Sequence, residues 1–313
     1  MARRPDKGSG RQGSGRSSPE RQIGAGAGRP PRRNERAGGK HDRPVSDERD
    51  PNREIHRSPA EARGAVGHPD DKLIRVAGLP SVAELFETGA DRVERLYFES
   101  DLKTEVQGYC ALLARRRKVY RQVRDEEMVR VAGTAMHGGV VALARPRPIR
   151  DFDLALAERW AAAGEPLLIL DGVGNPQNIG AIARTAAFFG VRRLVLSDHP
   201  GQAGLSDAAY RVAKGGLDRI EIYRGTALPE TLQRLAAHYH VAGTAIERGV
   251  PLNKFVKTGK PVALVMGNEE EGLPPATLAA CASVVALTGS GKVQSLNVSA
   301  AAAILIHMLL VSR

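Results

Sequence analysis

Three glycine-rich stretches near the C-terminal end hold the side chains most suited to chemistry. "LDGVGNPQNIGAIARTAAFFG" from Leu170 sets Asn178 and Arg184 among small apolar residues. "LVMGNEEEGLP" from Leu264 holds Gly267 and Glu269, and "VVALTGSGKVQSLNVSAA" from Val284 holds Leu287, Ser295, Leu296 and Asn297. These side chains bind and orient: amides and hydroxyls donate and accept, a carboxylate accepts, and a guanidinium keeps its proton to very high pH. Glycine allows backbone to approach a flat ligand closely, so Gly267, after the apolar run Val262–Met266, reads as a ligand-facing turn. Glu269 beside it is placed to accept a hydrogen bond from the Asn or Arg of the first stretch.

Plainer readings exist for each. Asn178 sits where it would cap a helix that ends before Gly190, and Ser295 where it would cap the last helix, with Asn297 in its first turn. The three glutamates of "NEEEG" read equally as solvated loop charges, and Arg184 as a solvated helix residue. Six helical residues place Asn178 and Arg184 roughly 120° apart, so Arg184 would act from, or across, a subunit interface. Two phosphate-binding patterns are excluded. "GSGK" lacks the P-loop's first glycine and its final Ser or Thr, where Ala286 and Val293 stand, and Gln177 replaces the third glycine of a dinucleotide fingerprint.

The elements that must position these groups follow from periodicity. From Pro166 onward, short apolar runs at Leu167–Leu170, 194–196, 220–223, 241–244, Val262–Met266 and 284–287 alternate with helical stretches. That pattern predicts a mostly parallel α/β sheet with helices on both faces. Upstream, from Asp71, the pattern reads strand, helix, strand, a helix over 106–113, a strand over 119–123, a helix from Asp125, and a strand at Val140–Ala144. Pro146 and Pro148 make residues 146–165 a linker. Residues 1–68 are expected to be a disordered basic arm: the first 40 hold eleven Lys or Arg against three acidic residues, with almost no large apolar side chains.

The chain of 313 residues carries a net charge of +11, which favours a polyanion, first of all nucleic acid. Cys110 and Cys281 lie far apart in apolar stretches, as buried reduced thiols do, so neither a disulfide framework nor a metal site is expected and the compartment reads as cytoplasmic. The longest apolar run, residues 300–306, falls far short of the roughly 18 needed to suggest a membrane span.

Taken together and in order, the three stretches resemble the signature motifs of the SpoU (TrmH-type) ribose 2′-O-methyltransferases. The upstream module, with "HGGV" at His137, is similar to the small RNA-binding domain that precedes the catalytic domain in many of them. After the arm over 1–68, the resemblance implies an RNA-binding α/β domain over 69–145 and a trefoil-knotted methyltransferase domain over 166–313. It further implies S-adenosylmethionine as cofactor, ribosomal or transfer RNA as substrate, and a homodimer packed through the apolar C-terminal helix. Asn178, Arg184, Glu269, Ser295 and Asn297 would be the residues near the reacting ribose. Thr244, Gly267, Leu287 and Leu296 would hold the cofactor, the leucines largely through backbone atoms. The gaps of 20 residues from Gly267 to Leu287 and 9 to Leu296 match the pattern. The frequent Ile-Pro-Met of the third motif is here Leu287, Thr288, Gly289. A non-catalytic RNA-binding scaffold and a base methyltransferase are the alternatives.

Overall fold

The structure, a computed structural model, describes residues 73–311 apart from 246–248 and 257. The expected basic arm, residues 1–68, lies outside the described residues. The first elements are β1 (Ile74–Ala77), α1 (Leu79–Gly89), β2 (Val93–Phe98), α2 (Gln107–Arg115), β3 (Val119–Gln122), α3 (Asp125–Ala132) and β4 (Val140–Ala144). They build a sheet in the order β1-β4-β2-β3, with β4 antiparallel to both neighbours and β3 parallel to β2 at one edge. All five residues of β4 are buried, because helices cover both faces of the sheet: Val82, Leu85 and Leu113 on one, Met128 and Ala132 on the other. The start of α3 carries Asp125, Glu126 and Glu127 where the helix dipole favours anions, and Gly133 at φ 67° closes it.

A second sheet follows, built from β5 (Arg150–Asp151), α4 (Leu154–Ala162), β6 (Leu167–Leu170), α5 (Pro176–Phe188), β7 (Arg193–Ser197), α6 (Asp207–Ala213), α7 (Gly216–Arg219), β8 (Glu221–Gly225), α8 (Leu228–Leu235), β9 (His240–Thr244), β10 (Val250–Pro251), β11 (Val262–Met266), α9 (Pro275–Ala279), β12 (Ser283–Ala286) and α10 (Val298–Leu305). Its order is β10-β12-β9-β11-β6-β7-β8-β5, and every pairing is parallel. Alternate residues of one strand enter opposite cores. Leu168, Leu170, Leu264 and Met266 join the core under α5, α6 and α10, while Leu167, Ile169, Ala263 and Val265 join the one under α4 and α8. This two-sided burial is why the strands read as unbroken apolar runs.

Part of the expected linker, residues 146–165, is regular structure. Proline bars hydrogen bonding only locally; past Pro148, β5 adds to the sheet edge beside β8. The Asp153 side chain then caps α4 by accepting from the Ala155 amide at 2.9 Å, and Ala157 and Trp160 bury their side chains. After β12 the chain doubles back, so α10 packs against α5 near the middle of the sheet, then continues as a π-helical turn, Ile306–Val311.

The two sheets meet through β1, α1, α6 and α7. Arg75 bonds Asp207 through its amide at 2.9 Å and its guanidinium at 3.0 Å. Buried Arg92 pairs with buried Asp218, Arg147 donates to the Asp218 carbonyl, and the Arg147 amide donates to the Tyr210 hydroxyl at 3.1 Å.

Candidate functional site

The three glycine-rich stretches converge at the carboxyl ends of β6, β9, β11 and β12, as ligand sites do in parallel α/β sheets. In the first, Asn175 is the residue that caps α5, its side chain accepting from the Gln177 amide at 2.9 Å, with Pro176 in the first turn. Asn178 therefore lies inside the helix, buried, with its amide free for other partners. It donates to Glu269 Oε1 at 3.0 Å and accepts from Asn297 Nδ2 at 3.1 Å. Asn297, not Ser295, caps α10: its Oδ1 accepts from the Ser299 amide at 2.9 Å and hydroxyl at 2.6 Å. The result is one directed chain of donors, from Ser299 through Asn297 and Asn178 to the Glu269 carboxylate. Each amide is oriented by neighbours on both sides.

Glu269 Oε2 is buried and has no hydrogen-bond partner among the described residues. A buried, unsatisfied carboxylate oxygen is costly, and it is a ready acceptor for a ligand hydroxyl or amine. Glu270 and Glu271 are exposed, as expected of solvated charges, and their amides donate to Asn268 Oδ1. Gly267 has a stricter role than ligand approach. Asn268 and Gly272 bond each other through both backbone groups, at 3.0 and 2.9 Å. A Cβ on Gly267 would lie 2.3 Å from the Gly272 carbonyl, so the loop's own closure requires glycine there.

Beside this chain of amides lies a cavity of about 470 Å³ lined by Thr244, Gly267, Glu269, Leu287, Ser295 and Leu296 among others. Asn178 and Asn297 stand outside its wall, joined to it through the Glu269 carboxylate, whereas all four residues expected to hold a cofactor are in the wall, and so are Glu269 and Ser295. Arg184 is not. It is exposed on α5, makes no hydrogen bond or ion pair among the described residues, and does not contact Glu269, which the sequence offered it as a partner. Its backbone is nonetheless held closely: a Cβ on Gly216 would lie 2.6 Å from Arg184 Cα, so α7 fits against α5 only through glycine.

Three supporting residues escape sequence reasoning. Gln202 accepts from the Gly172 and Val173 amides at 3.1 Å each and donates to the Val173 carbonyl, fixing the first turn. Asn268 donates to the Gly172 carbonyl at 3.3 Å and ties the first two stretches together. Thr277 donates to buried Asp171 at 2.7 Å. A fourth, Asn175, had a readable signal, as a cap followed by proline. Cys281 and Cys110 are free thiols, each half-buried where full burial was expected; partial burial and the nearby Asp171 carboxylate push Cys281 up to about 11.

Fold and site together define a class, parallel α/β sheets that bind a ligand at the carboxyl ends of their strands. The protein's fold matches an AdoMet-bound rRNA methyltransferase from Sinorhizobium meliloti with a TM-score of 0.63 at 22% identity, over 77% of this chain and 87% of that one. It matches the SpoU methyltransferase AviRb from Streptomyces viridochromogenes, solved with AdoMet, at 0.61 and 22% identity, over 77% and 90%. The SpoU rRNA Methylase family model matches residues 165–307, and the model for RNA 2′-O ribose methyltransferase substrate binding matches residues 75–149. The 23S rRNA (guanosine-2′-O-)-methyltransferase RlmB of Acinetobacter baylyi is 37% identical over 195 residues, 60% of this chain and 76% of that protein. The enzyme of the same name from Escherichia coli is 32% identical over 243 residues, 73% and 94%. The chain belongs to the SpoU family of RNA ribose 2′-O-methyltransferases.

Proposed function

We propose that the protein transfers the methyl group of S-adenosylmethionine to a ribose 2′-hydroxyl of RNA, with a guanosine of large-subunit ribosomal RNA as the first substrate to test. One observation carries the assignment of roles: the Asn297–Asn178–Glu269 chain ends on Glu269 Oε1 and leaves the buried Oε2 of the same carboxylate without a partner among the described residues, in the wall of a cavity that Thr244, Gly267, Leu287 and Leu296 also line. The residues present suit S-adenosylmethionine, with apolar walls for a flat base, backbone groups of the third loop for its edge, and polar groups at one end. Bound there, the cofactor supplies a methyl group already activated by its sulfonium charge.

The chain's own share is to orient and to stabilise. Asn178 and Asn297 position the ribose and the amino-acid end of the cofactor, Ser295 lies in the cavity wall within the same loop, and Glu269 fixes Asn178. Arg184, permanently protonated, acts as an electrostatic clamp on the 2′-oxygen or the adjacent phosphate, and the proton leaves to water or to substrate phosphate. Arg184 is exposed and outside the cavity wall, which supports a role at a site completed by a second subunit. The exposed apolar side chains Phe188, Ile304 and Met308, on α5, α10 and the turn after it, support a homodimer through that surface. The substrate-binding match over residues 75–149 supports the small sheet as the RNA-binding domain. A ribosomal RNA substrate supports a cytoplasmic location, and among the described residues no helix is long and apolar enough to cross a membrane.

Nucleoside mass spectrometry of RNA from cells with and without the gene tests the reaction: one 2′-O-methylnucleoside should disappear on deletion. Calorimetric titration with S-adenosylmethionine tests the site. Absence of saturable heat would turn the reading toward a non-catalytic RNA-binding scaffold, and loss of a base-methylated nucleoside instead would reassign the atom.

A further inference from the structure

We infer that the outer edge of the small sheet, from the end of α2 through β3 to Arg124, is the surface that grips the phosphate backbone of the RNA. The inference rests on the methyltransferase reading and deepens it by placing the substrate's grip away from the chemistry.

Charge in this region is concentrated in one strip. Six of the twelve Lys and Arg between residues 73 and 145 fall within residues 115–124, which hold no Asp or Glu, whereas the rest of that span carries ten acidic residues. Folding turns the strip into a surface. The last residues of α2 are exposed, all four residues of β3 are exposed, and β3 pairs only with β2 among the described residues, so its outer side is open. Lys118 is neutralised by Glu94; Arg121 is paired with Glu127 and lies over the Tyr97 ring. The guanidinium groups of Arg115, Arg116, Arg117 and Arg124 make no hydrogen bond or ion pair among the described residues. Arg117 also holds φ at 55°, a left-handed conformation that non-glycine residues adopt at a cost. Tyr120, 44% exposed, adds an aromatic face within the strip.

A charged edge strand has a simpler use, since charge keeps sheet edges from pairing with other chains. One or two cations achieve that. Arg115, Arg116 and Arg117 lie at one end of β3 and Arg124 at the other, so four unpaired cations run along the edge, an excess of one sign that a polyanion neutralises while releasing its own counterions. An exposed tyrosine among them suits stacking by unpaired bases, and the strip lies inside the substrate-binding match over residues 75–149. RNA fits this chemistry better than an acidic protein surface, which offers no bases to stack.

Position sets the consequence. β1 is the strand that docks on α6, and β3 lies three strand spacings beyond it, about 14 Å across the sheet. Contacts there hold RNA without touching the reacting ribose. They should govern affinity and leave the chemical step alone.

The test uses the full chain with Arg115→Gln, Arg116→Gln, Arg117→Asn and Arg124→Gln combined; Asn tolerates the left-handed turn at position 117. A second variant replaces Arg159, Arg192, Arg234 and Lys254 with Gln, equalising net charge. Binding of a ribosomal RNA fragment is measured against KCl concentration, together with methylation kinetics and S-adenosylmethionine affinity. The first variant should lose roughly 3 from the slope of log K against log salt and raise KM at least tenfold, with kcat and cofactor affinity unchanged. Equal losses in both variants, or an unchanged slope in the first, overturn the inference. Hydrogen exchange on the unaltered protein is independent of variant folding: RNA should protect β3 and the end of α2, and no protection there overturns it too. Should no RNA be methylated while the slope still falls, the strip binds RNA and only the catalytic reading fails.

Discussion

The role proposed for Asn178 rests on an amide fixed at both ends. Asn178→Ala removes the donor to Glu269 and leaves both carboxylate oxygens without a partner among the described residues. Methyl transfer should fall by about 10²–10³-fold, and S-adenosylmethionine binding should survive, as calorimetry can check. Arg184→Ala should give the same pattern by a different route, since it removes a charge and no packing. Turnover near the unaltered rate in a tritiated-methyl assay would take either residue out of the mechanism. Gly267→Ala differs in kind. Its Cβ would meet the Gly272 backbone at 2.3 Å, so the loop must open; we expect at least a tenfold loss of cofactor affinity and a lowered Tm. Cys281, pushed up to about 11, stays protonated at pH 8. Iodoacetamide should label it only after unfolding, and prompt labelling of the native protein would show the thiol to be less buried than this.

Among the elements, α7 has a reach beyond its four residues. It buries Asp218 against Arg92 of the small sheet, while its Gly216 backs Arg184 on α5. Arg92→Ala leaves a carboxylate buried without its cation, which costs about 3–5 kcal/mol. Urea titration should register that loss. Replacing both partners with apolar residues of similar volume should recover most of it. If α7 positions Arg184, the single variant should also lower kcat more than it weakens cofactor binding. A stability loss with unchanged kcat would make the junction purely structural.

For the whole molecule, the open question is whether one chain completes the site. Phe188 is 82% exposed and Met308 43%, on the same flank as Arg184. The C-terminal helix, apolar nearly all round, is buried on one side only within a single chain, through Val298, Ala302 and Leu305. If the proposed homodimer forms through this surface, Met308→Glu with Phe188→Asp should give monomers in sedimentation velocity where the unaltered protein gives dimers, and should abolish turnover if Arg184 serves a shared site. Active monomers would place Arg184 with the cavity of its own chain.

Sequence alone determined most of the strands and helices, because two-sided burial writes parallel strands as continuous apolar runs and caps, prolines and glycines mark their ends. It also supplied the family, through three motifs whose order is more specific than any one of them, and it singled out Thr244, Gly267, Leu287 and Leu296, which the fold sets in one cavity wall. Tertiary structure decided the rest. Which asparagine caps and which is free depends on one residue of register: Asn175 takes the cap of α5 and releases Asn178, and Asn297 displaces Ser295 at α10. The partner of Glu269 was open between Arg184 and Asn178 until the fold brought α5, the loop after β11 and the start of α10 together, since contacts across 91 and 119 residues leave no local pattern. Helix α4 stayed hidden behind two prolines because its stability comes from burying Trp160 in a core assembled from distant strands.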